Sequence, residues 1–214
     1  MKPKLLDLFC GAGGAAMGLH RAGFDVTGVD NKPQPRYPFP FILADAMEVG
    51  LEGYDCYWAS PPCQGYTVLF PNALHRKEYN HPDLVAPTRE RLILTGKPYV
   101  MENVPNSPLR AITILCGAMF GLRVYRHRLF EASFLSWQPH HPKHLVRTAG
   151  KGYAPKDDKT FWTITGSVGG LRGAQEAMGI DWMQRDAKAI SQAIPPAYSE
   201  YLGQWMMEAL KGQA

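Results

Sequence analysis

The feature that most constrains this chain is the alternation of short β-rich runs with helical stretches between Lys4 and Asp30. Lys4–Phe9 (KLLDLF) predicts a strand, Gly13–Gly23 (GGAAMGLHRAG) a small-residue helix closed by glycine, and Asp25–Asp30 (DVTGVD) a second strand. Further strands are expected at Phe41–Asp45, Tyr54–Ser60 and Lys97–Asn103, with a helix from about Asp83 to Thr95 leading into the last of them. Pro195–Leu210 carries apolar residues at helical spacing behind a proline, the signature of a helix start. Strands alternating with helices predict an α/β fold, Rossmann-like, with a mostly parallel sheet and helices on both faces.

Composition is compatible with that fold. A chain of 214 residues, 45% hydrophobic and 20% charged, can bury one ordinary core. No apolar run approaches the roughly 18 residues of a membrane span, and the N-terminal stretch lacks a secretory apolar segment, so a cytoplasmic protein without a membrane partner is expected. Cys10, Cys56, Cys63 and Cys116 show no CxxC spacing, which predicts reduced thiols, with neither a disulfide framework nor a metal site. A net charge of +4 permits a nucleic-acid partner without requiring one. From Ser136 to Thr160, Lys143, Arg147, Lys151, Lys156 and Lys159 face only Asp157 and Asp158. This stretch reads as a long basic loop, either a solvated excursion or a nucleic-acid contact.

Three places carry candidate chemistry. The first is the turn Phe9-Cys10-Gly11-Ala12-Gly13, which lets backbone approach a ligand, with Asp30 at the tip of the next strand to accept hydrogen bonds from ribose hydroxyls. Asp45 closes a third strand at the same edge, so two acids could bracket a nucleoside. The lack of a full GxGxxG argues against dinucleotides, and the lack of GxxxxGK[ST] against nucleoside triphosphates. The second is Ala59–Thr67 (ASPPCQGYT), in which Pro61 and Pro62 stop the strand and leave Cys63 in a stiff loop. A cysteine is more often a small core residue. One at the carboxyl end of a parallel strand, however, sits where open sheets bind ligands, and a modest electropositive neighbourhood would activate it. The third comprises Glu102, at a strand end stopped by Pro105 and able to meet Cys63 over one ligand, and further along Arg126 and Arg128, expected on one face of an extended segment as an anion site or as surface charge; His127 would face away and has no assigned role.

DLFCGAGG, SPPCQGYT, ENVP, RHR and AIPP, in that order, resemble the DNA cytosine-C5 methyltransferase family over most of the chain, Lys4 to about Gly203. The resemblance implies a Rossmann-like S-adenosylmethionine-dependent methyltransferase fold and transfer of a methyl group to cytosine in DNA, leaving S-adenosylhomocysteine. Cys63 would add to C6 of the base, Glu102 would supply a proton or hydrogen bond at N3, and Arg126 and Arg128 would contact the base and order the site. Phe9 to Gly13 and Pro62 would hold the cofactor, Asp30 its ribose and Asp45 its adenine, with Gln192 and Ala193 of the C-terminal motif closing over it. Val124 and Ser191-Gln192 depart from the family pattern. The sizeable target-recognition domain is also missing. The expected division is a catalytic core at 1–132, a short basic recognition segment at 133–160 and a return to the core at 161–214, with low sequence specificity. The same chemistry on RNA or free cytidine nucleotide, or a non-catalytic binding module, are the alternatives.

Overall fold

The computed structural model describes residues 1–66, 82–110, 112–150, 153–164, 170–183 and 186–212. Thr67 and Lys151 of the stretches quoted above lie outside the described residues. The elements are β1 (Lys4–Leu8), α1 (Gly14–Arg21), β2 (Asp25–Asp30), β3 (Phe41–Leu43), β4 (Cys56–Ala59), α2 (Val85–Leu94), β5 (Tyr99–Asn103), β6 (Ile112–Leu115), a 3-10 turn (Gly117–Phe120), β7 (Arg128–Ala132), α3 (Leu171–Met178), α4 (Ala187–Gln192) and α5 (Pro196–Lys211).

Seven strands form one sheet in the order β3-β2-β1-β4-β5-β7-β6. The first five pair in parallel, and β7 runs antiparallel to both of its neighbours. Side chains alternate across the sheet. Leu5, Val26, Trp58 and Phe130 pack on one face against α1 and α5, while Leu6, Leu8, Tyr57 and Met101 pack on the other with Val85 and Leu92 of α2. Helices therefore cover both faces, as the alternating pattern predicts. Among the described residues, no helix is long and apolar enough to cross a membrane.

Close backbone approach fixes α1 against α5. A Cβ at Gly18 would stand 2.0 Å from the Pro196 carbonyl and 2.2 Å from Ser199 Oγ. Ser199 donates in turn to the Ala15 carbonyl at 2.8 Å. On the other face, Arg89 of α2 reaches β7 with two parallel bonds to the Glu131 carboxylate, both 2.7 Å, and a third at 2.8 Å to the Pro108 carbonyl.

Several boundaries differ from expectation. β1 ends at Leu8 because Phe9 already turns, with φ 58°. β6 and β7 are additional strands: β6 is only four residues long, and β7 opens on an arginine. The segment 133–150 contains no helix or strand and rejoins the body through a bridge between Thr148 and Phe161. Beyond it, Trp162, Ile164, Met178 and Ile190 form a small core of their own with Val124.

Candidate active site

At the carboxyl edge of the sheet, β1 and β4 lie side by side, and each ends in a turn. Phe9, Gly11 and Gly13 take positive φ of 58°, 49° and 87°, tightening the chain so that Cys10 N–H reaches the Val29 carbonyl at 3.0 Å. Gly11 and Gly13 need glycine's freedom for this conformation. Asp30, one strand over, is held from two sides: its carboxylate accepts from Gly11 N–H at 3.1 Å and from Lys32 N–H at 2.9 Å. Asp45 lies two residues past β3, exposed, and accepts from Met47 N–H at 2.8 Å. At Gly14 a Cβ would stand 2.6 Å from the Ile194 carbonyl and 3.0 Å from Ala193 Cβ, so the C-terminal motif is seated directly on the glycine turn. Gln192, next to it, is exposed.

Cys63 follows β4 by four residues. Its carbonyl accepts from Tyr66 N–H at 3.0 Å, closing a turn, and the Tyr66 hydroxyl is tied to Asp83. From β5, Asn103 donates its side-chain amide to the Pro61 carbonyl at 3.0 Å and accepts from Val104 N–H at 2.9 Å. This buried asparagine fastens the Pro61–Cys63 loop to the neighbouring strand. Sequence reasoning gave Asn103 no role, because a bond across 42 residues leaves no mark in local pattern.

Glu102, beside Asn103, is 8% exposed. Arg128, the first residue of β7, places Nε 3.0 Å from Glu102 Oε1 and donates Nη1 to the His127 carbonyl at 2.9 Å. Antiparallel pairing makes the meeting possible, since Glu102 stands opposite Phe130 and Asn103 opposite Leu129.

Arg126 corrects an expectation. It does not share an extended face with Arg128, because its φ of 38° is left-handed and β7 starts only at Arg128. The backbone there is pinned from outside the sheet, where the buried Tyr198 hydroxyl donates to the carbonyls of Tyr125 and Arg126 at 3.2 and 3.0 Å. The Arg126 guanidinium donates to the carbonyls of Ile164 at 3.1 Å and Ser191 at 2.5 Å, which ties the returning chain to the site. Val124, the departure noted above, is buried against Trp162.

Burial dominates the electrostatics. Cys10, Cys56 and Cys116 are buried, while Cys63 is half-buried and so is the one thiol of the four that a substrate could reach. Burial raises the Cys63 thiol, the Glu102 carboxylate raises it further, and Arg128 and Arg126 pull it down by less. The electropositive neighbourhood that the sequence reading asks for is present in two arginines, and desolvation outweighs it here. Burial also raises Glu102, against the pull of Arg128, Arg126 and the Ser60 hydroxyl. Arg126 is pushed down to about 9, first by burial and then by the like charge of Arg128.

A protein described as a candidate DNA modification methyltransferase from an Escherichia coli prophage superposes with TM-score 0.70 over 99% of this chain and 100% of its own, at 14% identity. An Entamoeba histolytica methyltransferase gives 0.66 over 98% and 99% at 13% identity, and the S. pombe Dnmt2 methyltransferase gives 0.64 over 98% and 99% at 13%. The chain has their fold, the Rossmann-like methyltransferase architecture. No family model and no curated protein matches the sequence.

Proposed function

We propose that this chain is a compact cytosine-C5 methyltransferase that acts on DNA with a short or loosely read target, using Cys63 as nucleophile. The carrying observation is the convergence of Cys63, just past β4, Glu102 of β5 and Arg128 of β7 onto one edge of the sheet, with Arg128 Nε 3.0 Å from the Glu102 carboxylate. The likeness in fold to a protein described as a DNA modification methyltransferase supports the same reading.

The residues at the glycine turn fit S-adenosylmethionine. Among the described residues no side chain caps α1 and no acid stands in its first turn, so its first N–H groups suit a carboxylate. A Cβ at Gly11 would meet nothing within 4 Å, leaving open space above the turn. Asp30, oriented by two backbone amides, retains lone pairs for ribose hydroxyls. Phe9, Cys10, Gly11, Ala12 and Gly13 would line the cofactor, Asp45 would reach its adenine, and Pro62, Gln192 and Ala193 would border it. The cofactor supplies a methyl group made electrophilic by its sulfonium.

C5 of cytosine is too weak a nucleophile to accept that methyl unaided. The Cys63 thiolate adds to C6, and the electron pair displaced from the C5–C6 bond makes C5 part of an electron-rich enamine. As density reaches N3, Glu102, raised by its burial, donates a proton or strong hydrogen bond. A neutral Glu102 also withdraws the negative charge that raises Cys63, so the protonated acid and the thiolate favour each other. Arg128 orients Glu102, and Arg126 holds the return segment. A general base then takes the C5 proton, the C5–H electron pair re-forms the C5–C6 double bond as the Cys63 sulfur leaves as thiolate, and the N3 proton returns to the Glu102 carboxylate. A base inside a duplex must first be flipped out.

Residues 133–160 are proposed as the recognition segment, between a catalytic core at 1–132 and its return at 161–214. Trp137, Leu145 and Tyr153 are 75%, 85% and 73% exposed among Lys143, Arg147 and Lys156. Aromatic faces among cations suit stacking and phosphate contact. The test is incubation with labelled S-adenosylmethionine and duplex DNA, single-stranded DNA, RNA or cytidine nucleotide, followed by nucleoside analysis. We expect 5-methylcytosine in DNA, abolished by Cys63→Ala. DNA carrying 5-fluorocytosine, whose fluorine cannot leave as a proton, should trap a covalent complex. Label confined to RNA or nucleotide would reassign the substrate, and transfer surviving Cys63→Ala would overturn the mechanism.

A further inference from the structure

We propose that Cys116, His127, His141 and His144 form a structural site for one divalent transition metal, Zn2+ foremost, that fastens the segment around residues 141–144 to the start of β7. The four ligand atoms all lie within 4.8 Å of one another. Cys116 Sγ is 3.3 Å from His144 Nε2, and His127 Nε2 is 3.0 Å from His141 Nε2. A tetrahedral zinc with bonds of about 2.3 Å to sulfur and about 2.0–2.1 Å to nitrogen has ligand edges of about 3.6 and about 3.4 Å. The observed cluster is already near that size.

The chemistry of the donors agrees. Three imidazole nitrogens and one thiol sulfur face one another, the donor set of a closed zinc site. Neutral imidazole is the ligand form. Arg128, next to His127 in the chain, is balanced by Glu102. A cysteine and three histidines leave no open position, and borderline-soft nitrogen and sulfur donors select zinc-like metals over calcium or magnesium.

The surroundings orient the ligands. The His144 ring stacks on Tyr125 with centroids 3.6 Å apart and planes 17° apart. The Tyr125 hydroxyl donates to the Val146 carbonyl at 2.8 Å and accepts from Val146 N–H at 3.1 Å, clamping the chain beside that histidine. The Met119 N–H of the 3-10 turn donates to the Cys116 carbonyl at 3.0 Å, and the Cys116 N–H donates to Met119 Sδ at 3.3 Å, which fixes the backbone of the cysteine. Cys116 follows β6, His127 precedes Arg128, and His141 and His144 belong to a segment with no regular structure. A metal here closes a loop of 28 residues between Cys116 and His144, and holds the exposed basic segment beside the arginine that pairs with Glu102. Stacked histidines joined only by hydrogen bonds would give similar distances without holding metal, and the experiment separates the two.

The full chain, loaded with Zn2+, should retain about one zinc per molecule through exhaustive dialysis. Replacement by Co2+ should give tetrahedral ligand-field bands and a thiolate-to-cobalt charge-transfer band. That band should persist in Cys63→Ala and vanish in Cys116→Ser. His141→Ala, a change at an exposed side chain, should lose zinc with unchanged circular dichroism, which keeps the test decisive if Cys116→Ser fails to fold. Stoichiometry far below one in the wild-type protein, or zinc and the thiolate band retained in these variants, would overturn the site.

Discussion

The Asn103 side-chain amide donates to the Pro61 carbonyl at 3.0 Å, so the loop that carries Cys63 is fixed by the strand that carries Glu102. Asn103→Ala would strand a buried carbonyl and release the loop. It should cost about 1–3 kcal/mol of stability by denaturant titration. Methyl transfer should fall by more than the lost folded fraction accounts for. Unchanged turnover in the folded variant would show that the loop holds itself.

Glu102→Gln tests the coupling between acid and thiol. It removes the charge that raises Cys63 and leaves burial opposed by two arginines. The pH profile for alkylation of Cys63 should move to lower pH, while methyl transfer drops by roughly 10²- to 10⁴-fold with the loss of a proton donor. Arg128→Ala should move the alkylation profile the other way. A profile indifferent to both changes would separate Glu102 and Arg128 from the thiol.

Burial holds the Asp7 carboxyl well above the ordinary carboxylate range. The Tyr37 hydroxyl opposes the shift, and the charges of Asp30 and Glu102 add to it. Folded Asp7 therefore keeps a proton that the unfolded chain releases above about pH 4. Its contribution to stability is full below that pH and falls as pH rises toward the raised folded value. Asp7→Asn removes this titration. Melting temperatures measured from pH 4 to 8 should fall more steeply for the wild-type protein than for the variant, and parallel curves would refute the assignment.

The pair Arg89–Glu131 is buried, with side chains 5% and 6% exposed, and Glu131 also accepts from Arg110 N–H at 2.7 Å. Arg89→Met leaves a carboxylate unpaired in the interior and should destabilise by about 3–5 kcal/mol in denaturant titration. The double change Arg89→Met with Glu131→Leu should recover part of that loss. A single variant as stable as the wild-type protein would mean that Glu131 finds water or another donor.

Strands β1 to β5 were legible because each is a short apolar run ended by Gly, Pro or Asp, and the positions of Cys63 and Glu102 followed from where those runs stop. β7 was less legible: it begins with the charged Arg128, whose partner Glu102 lies 26 residues back in the sequence. The left-handed turn at Arg126 could not be read, since nothing in an arginine favours positive φ; Tyr198, from the far end of the chain, imposes it. The Cys–His cluster was hidden for a related reason. Its members come from three separate segments, and only His141 and His144 are spaced closely enough to suggest a pair.

Because β7 is reversed, the chain leaves it at the edge opposite the candidate site, where Ser133 N–H meets the Tyr99 carbonyl at 3.0 Å. The segment that follows must climb back the height of a five-residue strand, about 16 Å, to bring His141 to His127. The steps from Ser133 to His141 reach at most about 28 Å. This stretch is therefore a tether of limited slack: insertions can bulge outward, but removing about four residues would leave about 14 Å and part the two histidines.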